Sequence, residues 1–299
     1  MPSIPTLKLN DGNEIPMLSY GFGTAHFMGE HDDVTKVAGL ALDNGYYHLD
    51  CAECYMNESG VGAGIKASGV PREKLFVTTK IVGTVNQDVA AALDTSLQKL
   101  GLDYVDLYLL HVPFSAGSDE GEQKIWAQME ALLATGKVKS IGVSNFKVSD
   151  LENLLKTAKV VPAVNQIEFH PYNQQRDVIA FCRKHGIAIS AYSSLSALTQ
   201  GRPGPADEVY ASLAEKYGVS ESDIGLRWCI DQDVVAITTS KKADRLQGFL
   251  NKMLGFKLDA QDIEKLNTAG EQKKYAGGGM DYMTSKYGNY QRGVKAPSA

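Results

Sequence analysis

The stretch KLFVTTKIVGTVNQDVAAALDTSLQKLGLDYVDLYLL, residues 74–110, indicates which fold the chain adopts. It begins and ends with short apolar runs, 74–79 and 103–110, that are rich in β-branched, leucine and aromatic residues, as is typical of buried strands. Between them, apolar residues recur at intervals of three and four over 87–100, namely Val89, Leu93, Leu97 and Leu100. That spacing predicts an amphipathic helix, which Gly101 would end before the second strand begins.

This alternation of strand and helix repeats along the chain. Strand-like runs lie at 17–21, 46–50, 74–79, 103–110, 138–143, 161–168, 186–192 and 233–239. Helix-length segments lie at 33–44, 57–68, 87–100, 121–136, 148–158, 174–185, 207–217 and 242–252. Eight strands that alternate with helices predict an α/β protein, either a closed parallel barrel or a doubly wound sheet.

The glycine pattern and the length favour the barrel. The dinucleotide-binding fingerprint of doubly wound sheets, G-x-G-x-x-G, is absent, because Gly21 and Gly23 lack the third glycine. The 299 residues suit one (β/α)8 TIM barrel, and we expect a single domain over 1–299. We expect a hairpin around Asp11-Gly12, within 1–16, to plug one end of the barrel. A loop-rich tail over 270–299, which contains several glycines and tyrosines, is expected to cover the opposite mouth.

Composition and charge exclude several classes of protein. The chain is 43% hydrophobic and 22% charged, which is ordinary for a globular protein, and its net charge of -5 argues against a nucleic-acid-binding surface. It has no apolar run long enough for a membrane span and no secretory signal, and only four cysteines. We therefore expect a cytoplasmic protein with no membrane partner. Because no long apolar stripe suggests an obligate interface, a monomer is expected.

The cysteines leave three interpretations open. Cys51 and Cys54 form a C-x-x-C pair, and Cys182 and His185 form a loose C-x-x-H pair. Four such residues could hold zinc, although their separation is very wide for a zinc site. The first pair could also be a redox dithiol. We favour the simplest interpretation, in which the cysteines are small packing residues and the chain binds no metal.

Polar residues follow the predicted strands, where a barrel of this kind carries its functional groups. These residues are Asp50, Lys80, His111, Ser144, Asn145, Gln166, Tyr192, Thr239, Ser240 and Lys241. Taken alone, Asp50 could be a helix cap, Lys80 a solvated charge and His111 a buried core histidine. Their convergence on one mouth indicates a functional site instead.

Five segments, in order along the chain, resemble motifs of the aldo-keto reductase family. They are His48-Leu-Asp50-Cys-Ala-Glu-Cys-Tyr55-Met-Asn-Glu58, Phe76-Val-Thr-Thr-Lys80, Leu109-Leu-His111-Val-Pro113, Gly142-Val-Ser-Asn-Phe146 and Val164-Asn-Gln-Ile-Glu168. The similarity extends from about residue 5 to about residue 270. It implies a single TIM barrel that reduces aldehydes and ketones to alcohols with a nicotinamide cofactor.

The resemblance also implies catalytic roles. Tyr55 would donate the proton to the carbonyl oxygen as general acid, although a free phenol is a poor acid at neutral pH. A nearby Lys80 ammonium would stabilise the phenolate and lower the pKa of Tyr55. Asp50 would hold Lys80 in place, and His111 would orient the substrate oxygen by a hydrogen bond.

The cofactor contacts that the family implies cover most of the same mouth. In this sequence they fall on Gly23, Thr24, Asp50, Ser144, Asn145, Gln166, Tyr192, Ser193, Ser194, Leu195, Thr239, Ser240, Lys241 and Arg245. Cations at a helix start suit the 2′-phosphate of NADPH, whereas a site for NAD more often places an acid near the ribose. We therefore expect NADPH.

Some positions depart from the family pattern. Thr238-Thr239 replaces the usual Pro-Lys and resembles fungal members that reduce conjugated polyketones and dicarbonyls, while Gly248-Phe249 replaces a frequent Glu-Asn. Ala25 and Val112 stand where many relatives have tryptophan, which should widen the substrate mouth. The substrate-binding residues that we expect are Ala25, His26, Phe27, Tyr55, His111, Phe114 and Phe146. This wall suits bulky ketones, diketones or aldehydes.

Two alternative functions use the same barrel. A non-catalytic member would bind NADPH without rapid turnover, although the presence of Asp50, Tyr55, Lys80 and His111 argues against it. A lyase would use Lys80 as a Schiff-base nucleophile, which borohydride trapping would reveal. The reductase is the interpretation that the motifs favour.

Overall fold

A closed barrel of parallel strands is the centre of the fold. The structure, a computed structural model, describes residues 4–23, 25–276 and 283–286. The strands are β1 (Thr6–Lys8), β2 (Glu14–Pro16), β3 (Leu18–Gly21), β4 (His48–Asp50), β5 (Phe76–Ile81), β6 (Val105–Leu110), β7 (Val138–Ser144), β8 (Val164–Glu168), β9 (Ala188–Tyr192) and β10 (Val234–Thr238). From β3 onward each strand pairs in parallel with the next, and β10 pairs with β3. The predicted barrel and its eight strand positions are confirmed.

Helices surround the barrel. They are α1 (His31–Asp43), α2 (Glu58–Ser68), α3 (Val89–Leu100), α4 (Asp119–Leu132), α5 (Val148–Leu155), α6 (Arg176–Lys184), α7 (Asp207–Tyr217), α8 (Glu221–Ile230), α9 (Ala243–Asn251) and α10 (Ala260–Glu271). The α3 helix begins where the Asp88 side chain accepts hydrogen bonds from two backbone amides, and it ends at Gly101 with a φ of 66°. All eight predicted helices are present.

The α8 and α10 helices are additional to the predicted ones. In α8 every residue from Asp223 to Ile230 is buried, so its sequence has no polar face that would indicate a helix. A capping box between Ser220 and Asp223 fixes its first turn. The tertiary packing, rather than the sequence periodicity, defines this element.

The N-terminal hairpin closes the amino end of the barrel, as predicted. β1 and β2 are antiparallel, and Gly12 between them has a φ of 90°, which favours glycine. Leu9 and Ile15 pack in the same buried cluster as Phe76 and Val164, which begin two barrel strands. The opposite mouth, at the carboxyl ends of the strands, is therefore the end available for a ligand.

Only part of the predicted tail lies in the described residues. Tyr275 packs near His170 and Tyr172 at the carboxyl side of β8, and Met283 is buried at the barrel mouth beside Cys54. The glycine run and Tyr282, Tyr287 and Tyr290 lie outside the described residues.

The structure also bears on membrane association. No helix within 4–23, 25–276 and 283–286 is both long enough and apolar enough to cross a membrane. The monomeric state and the cytoplasmic location stay predictions.

Candidate active site

The parallel strands deliver the predicted polar residues to one rim. Asp50, Ser144 and Tyr192 end β4, β7 and β9, Lys80 is the last residue but one of β5, and Gln166 is the middle residue of β8. His111 follows β6 directly. Because the carboxyl ends of all eight strands face the same mouth, these side chains share one site.

A buried ammonium is the centre of this site. Lys80 is 0% exposed, and its Nζ donates to Asp50 Oδ1 at 2.7 Å, to the Cys51 carbonyl oxygen at 2.7 Å and to Tyr55 Oη at 3.3 Å. An ammonium has three protons, so these partners satisfy it fully. A buried charge is tolerated only when it is paired and hydrogen-bonded in this way. The structure thus brings Asp50, Lys80 and Tyr55 into direct contact.

The position of Tyr55 is fixed by the turn that carries it. Tyr55 ends a 3-10 turn, Glu53–Tyr55, and the next residue, Met56, has a φ of 58°. Asn57 Nδ2 then donates to the carbonyl oxygens of Phe22 and His26, both at 2.8 Å, which ties the turn to the loop after β3. These two hydrogen bonds give Asn57 a structural role, because they hold the turn that carries Tyr55.

Glycine at position 23 leaves room for the phenol. A Cβ atom placed on Gly23 would lie 3.1 Å from Tyr55 Cζ and 3.2 Å from Tyr55 Oη. That is tighter than ordinary van der Waals contact, so any larger residue would press on the phenol of Tyr55. The neighbouring Thr24, predicted to contact the cofactor, lies outside the described residues.

Burial controls the protonation of Tyr55. The pKa of the phenol is raised well above its ordinary value, first by desolvation and then by the negative charge of Asp50. The expected net fall in the pKa of Tyr55 is therefore not found, because the overall shift is upward. Burial and the Asp50 carboxylate set the direction of the shift, so the phenol keeps its proton at neutral pH.

His111 lies beside Tyr55 and is neutral. The two rings meet edge to face with their centroids 5.7 Å apart. Burial, together with the positive charge of Lys80, lowers the pKa of His111 well below 6.5. Cys54 Sγ lies 3.4 Å from Nδ1 of the ring, and Asn145 Nδ2 donates to the His111 carbonyl oxygen at 3.0 Å. A neutral imidazole can donate one hydrogen bond without carrying charge.

Amide and hydroxyl groups extend the network along the rim. Gln166 Nε2 donates to Asp50 Oδ2 at 2.7 Å, and Ser144 Oγ donates to the Gln166 carbonyl oxygen at 2.8 Å. Tyr192 Oη donates to Asn145 Oδ1 at 2.7 Å. These four residues, all predicted cofactor contacts, therefore form one connected group next to Asp50, since Asn145 Nδ2 also donates to Ser144 Oγ at 3.1 Å.

The predicted phosphate end lies after β10. The α9 helix begins after Lys242, whose side chain makes no capping hydrogen bond, so amide groups of the first turn can bind an anion. Lys241 and Arg245 are exposed beside it. Ser240 Oγ accepts a hydrogen bond from the Lys242 amide at 3.1 Å, which shapes the turn. This set of donors and cations fits a phosphate.

Comparisons with known proteins identify the family. The model described as Aldo/keto reductase family matches residues 20–271. The chain belongs to the aldo/keto reductase family. It is 43% identical over 272 residues to the NAD/NADP-dependent indole-3-acetaldehyde reductase of Schizosaccharomyces pombe, covering 87% of this chain and 94% of the relative. It is 39% identical over 275 residues to the glyoxal reductase of Bacillus subtilis, covering 90% and 94%.

Solved structures agree with the assignment. An aldo-keto reductase of Bombyx mori in complex with NADP superimposes with a TM-score of 0.82 at 35% identity, covering 90% of this chain and 93% of that one. The aldo/keto reductase of Brucella melitensis has a TM-score of 0.81 at 39% identity, covering 89% and 100%. Fungal relatives, such as the one from S. pombe, agree with the predicted resemblance to fungal members.

An apolar cluster at the mouth of this aldo-keto reductase forms one wall beside Tyr55. It comprises Ala52, Cys54, Val82, Val112 and Met283, with Tyr55 and Phe114 packed against it. Phe114 was expected here, and Val112 was noted as a small replacement. Ala52, Cys54, Val82 and Met283 were not predicted as wall residues. Val82 follows Lys80 by two residues and could have been found from the alternation of side chains at a strand end.

Two predicted wall residues lie elsewhere in the reductase. Phe146 is 1% exposed and packs in the main hydrophobic cluster rather than in the wall beside Tyr55, and its role as a substrate contact stays a prediction. His26 Nε2 lies 3.2 Å from Tyr20 Oη and 3.2 Å from Thr239 Oγ1. These contacts place His26 with the predicted phosphate segment rather than with the apolar wall. Ala25 is exposed and Phe27 is half-buried in the same loop.

The segment that follows β9 contains three of the predicted cofactor contacts, Ser193, Ser194 and Leu195. The buried hydroxyl of Ser194 donates to the carbonyl oxygen of Ala191 at 2.9 Å or of Ile237 at 3.3 Å, and its contact with the cofactor stays a prediction. Leu195 packs towards Gly225 of α8, which leaves only its backbone for a ligand. Ser193, with a φ of 55°, is half-buried and remains a candidate.

The cysteines of the reductase are free thiols, all of them buried. Cys182 lies 3.7 Å from Asn165 Nδ2 in a different environment from Cys54, which faces His111. Among the residues that the structure describes, no three His, Cys, Asp or Glu side chains are grouped as metal ligands. The zinc interpretation therefore receives no support from these positions.

Proposed function

We propose that this chain reduces aldehydes and ketones to alcohols with NADPH, and that Tyr55 is the general acid. The observation that carries the proposal is the buried contact of Tyr55 Oη with Lys80 Nζ at 3.3 Å, beside the Lys80–Asp50 pair at 2.7 Å. A phenol held next to an ammonium can release its proton as the carbonyl oxygen gains charge. The test is loss of the NADPH absorbance band on addition of an activated aldehyde.

NADPH suits the rim of the barrel. The enzyme is an NADP-dependent member of its family, since relatives are named as NAD/NADP-dependent or NADPH-dependent reductases and a structural neighbour contains NADP. When bound, the cofactor supplies the hydride for the carbonyl carbon. Asn145 and Gln166 would hold the carboxamide, and Lys241 and Arg245 would hold the 2′-phosphate.

The chain's own residues would manage the proton and the orientation of the substrate. His111, being neutral, would donate a hydrogen bond to the carbonyl oxygen and direct it towards Tyr55. Tyr55 would transfer its proton to that oxygen. Lys80 would stabilise the phenolate left behind, and Asp50 would keep the ammonium in place. Burial of the group excludes water and strengthens each of these interactions.

The geometry does not favour the lyase. A Schiff-base nucleophile must present an unprotonated amine to the substrate, whereas Lys80 Nζ donates to Asp50, to the Cys51 carbonyl and to Tyr55. Borohydride treatment with a carbonyl substrate is therefore expected to leave Lys80 unmodified.

The substrate class that we propose is a bulky ketone, diketone or aldehyde. Val112 and Ala52 contribute small side chains to the apolar wall, and Phe114 supplies an aromatic surface. The relatives are named for indole-3-acetaldehyde, glyoxal and alpha-keto amides, a range that includes both small and bulky carbonyls. A panel of aldehydes, α-dicarbonyls and sugars would rank these classes by kcat/KM.

The rate of reduction is expected to be nearly independent of pH across the neutral range. Tyr55 must be protonated and its pKa is raised, so kcat/KM should fall only at a pH above the ordinary tyrosine pKa. His111 must be neutral and its pKa is lowered, so on the acidic side kcat/KM should fall only at a pH below the ordinary histidine pKa. We expect kcat/KM to stay level between about pH 6.5 and pH 10. A midpoint near pH 8 would contradict the assigned protonation states.

Arg245→Ala is expected to weaken NADPH binding about tenfold and to leave NADH binding unchanged. The lost interaction is one charge-assisted hydrogen bond to a phosphate, and about 1.4 kcal/mol corresponds to a factor of ten. Calorimetric titration with each cofactor measures it. Lys252→Ala is the matched control, because it removes one exposed positive charge from the other end of α9. Equal losses for both cofactors would contradict a 2′-phosphate contact.

A further inference from the structure

We propose that Cys54 is a positioning residue that fixes which ring nitrogen of His111 carries the proton. The inference rests on the proposed function, in which His111 donates a hydrogen bond to the carbonyl oxygen. In this role the second cysteine of the C-x-x-C pair binds no metal and forms no disulfide. The thiol would act through the imidazole rather than on the substrate.

The contact between the two groups is direct and buried. Cys54 Sγ lies 3.4 Å from His111 Nδ1, and the two residues are 7% and 6% exposed. Within the described part of the chain, the thiol is the only side-chain hydrogen-bond partner of this imidazole. The contact with the thiol therefore determines whether Nδ1 carries a proton, and Nε2 is the nitrogen that can bind a substrate.

Backbone contacts hold both partners in place. The His111 amide donates to the Ile81 carbonyl oxygen at 2.8 Å, and its carbonyl oxygen accepts from Asn145. Cys54 lies in the short turn before Tyr55, whose position Asn57 fixes. Because neither group can easily move away, the remaining variable is the position of one proton.

The chemistry of the two groups decides where that proton lies. Burial raises the pKa of the Cys54 thiol to about 12, so the sulfur keeps its hydrogen at neutral pH. Burial and Lys80 keep the imidazole neutral, with a single N–H. Thiol sulfur is a weak acceptor, whereas the lone pair of an imidazole nitrogen is a good one. The favoured arrangement has S–H donating to Nδ1, which places the ring proton on Nε2.

This tautomer is the one that the reaction needs. With the proton on Nε2, His111 can donate to a carbonyl oxygen beside Tyr55. With the proton on Nδ1, the lone pair of Nε2 would face that oxygen and repel it. Second partners of a histidine commonly fix its tautomer in this way. Cys54 would therefore improve both the binding and the alignment of the carbonyl.

Nitrogen-15 NMR of the histidine side chains tests the proposal directly. The protein contains six histidines, and His111 is assigned by the loss of its resonances in His111→Gln. In the wild-type protein we expect an unprotonated Nδ1 and a protonated Nε2. Cys54→Ser keeps a donor and should retain this pattern. Cys54→Ala and Cys54→Val remove the donor and should give a mixture of tautomers.

Kinetics provide the second readout. Cys54→Ala and Cys54→Val should lower kcat/KM for an α-dicarbonyl with NADPH by about two- to tenfold, the range expected for one lost hydrogen bond, while Cys54→Ser keeps most of it. Cys54→Val fills the space of the thiol, so the test survives if the alanine variant is unstable. Cys182→Ala removes a different buried thiol and should change neither readout.

Two results would overturn the inference. One is a wild-type His111 with its proton on Nδ1, and the other is an unchanged tautomer in both donor-less variants. Because the spectra require no turnover, they separate this inference from the proposed function. A protein that reduces no carbonyl but has the expected tautomer would count against the function alone.

Discussion

Tyr55→Phe is expected to lower kcat for carbonyl reduction by about 10² to 10⁴, while NADPH binding remains close to that of the wild type. The substitution removes only the hydroxyl that contacts Lys80 Nζ at 3.3 Å and keeps the ring that packs against Gly23 and His111. The general acid is lost, but the wall of the site is preserved. Initial rates with an activated aldehyde and calorimetric titration with NADPH measure the two effects.

Tyr47→Phe is the matched control for this prediction. Tyr47 is 39% exposed and lies before β4, so loss of its hydroxyl should leave kcat within about twofold of the wild-type value. If Tyr55→Phe turned over at the wild-type rate, the proton would have to come from another group. His111 or a water molecule would then be the first candidates.

Lys80→Met is expected both to abolish turnover and to lower the free energy of unfolding by about 3–5 kcal/mol. The ammonium is fully buried and pairs with Asp50, which is itself buried. Its removal leaves a carboxylate without its cation, with Gln166 as a remaining neutral donor. Urea unfolding followed by circular dichroism measures the stability, and NADPH absorbance measures the rate.

An exposed ion pair supplies the comparison. Lys137 Nζ lies 2.6 Å from Asp94 Oδ1, at about the same distance as in the buried pair, but both side chains are about half exposed. Lys137→Met should therefore cost less than about 1 kcal/mol and leave activity unchanged. Equal losses of stability in the two variants would show that burial does not amplify the Lys80–Asp50 interaction.

Much of the fold and the core of the site could be predicted from the sequence. The strands are short apolar runs separated by amphipathic helices, so their positions follow from periodicity. Asp50, Lys80 and His111 could be grouped because parallel strands end at one rim. Tyr55 required the family motif, because a tyrosine in a turn has no pattern of its own.

Other features depend on packing that local sequence does not encode. The α8 helix is buried on all sides, which removes the polar stripe by which a helix is found. The direction in which the pKa of Tyr55 shifts depends on how completely the phenol is desolvated. Ser194 lies in the predicted cofactor segment, and its hydroxyl turns towards the strand carbonyls of Ala191 and Ile237.

The contact of Cys54 with His111 is a feature of the site that also could not be predicted from the sequence. The two residues are 57 positions apart, and their distance depends on how the turn before Tyr55 packs against the end of β6. Likewise, His26 was placed with the substrate by its position in the loop, but the fold directs its ring to Tyr20 and Thr239. Such details require the assembled barrel.

Transfer of deuterium tests the central claim most directly. The protein is incubated with an α-dicarbonyl and NADPH in which both hydrogens of the hydride-donating carbon are replaced by deuterium, and the product alcohol is analysed by mass spectrometry. Our account predicts one deuterium on the new carbinol carbon, formed at a rate that falls by at least about a hundredfold in Tyr55→Phe. An alcohol without deuterium, or no alcohol from any carbonyl tested, would contradict it.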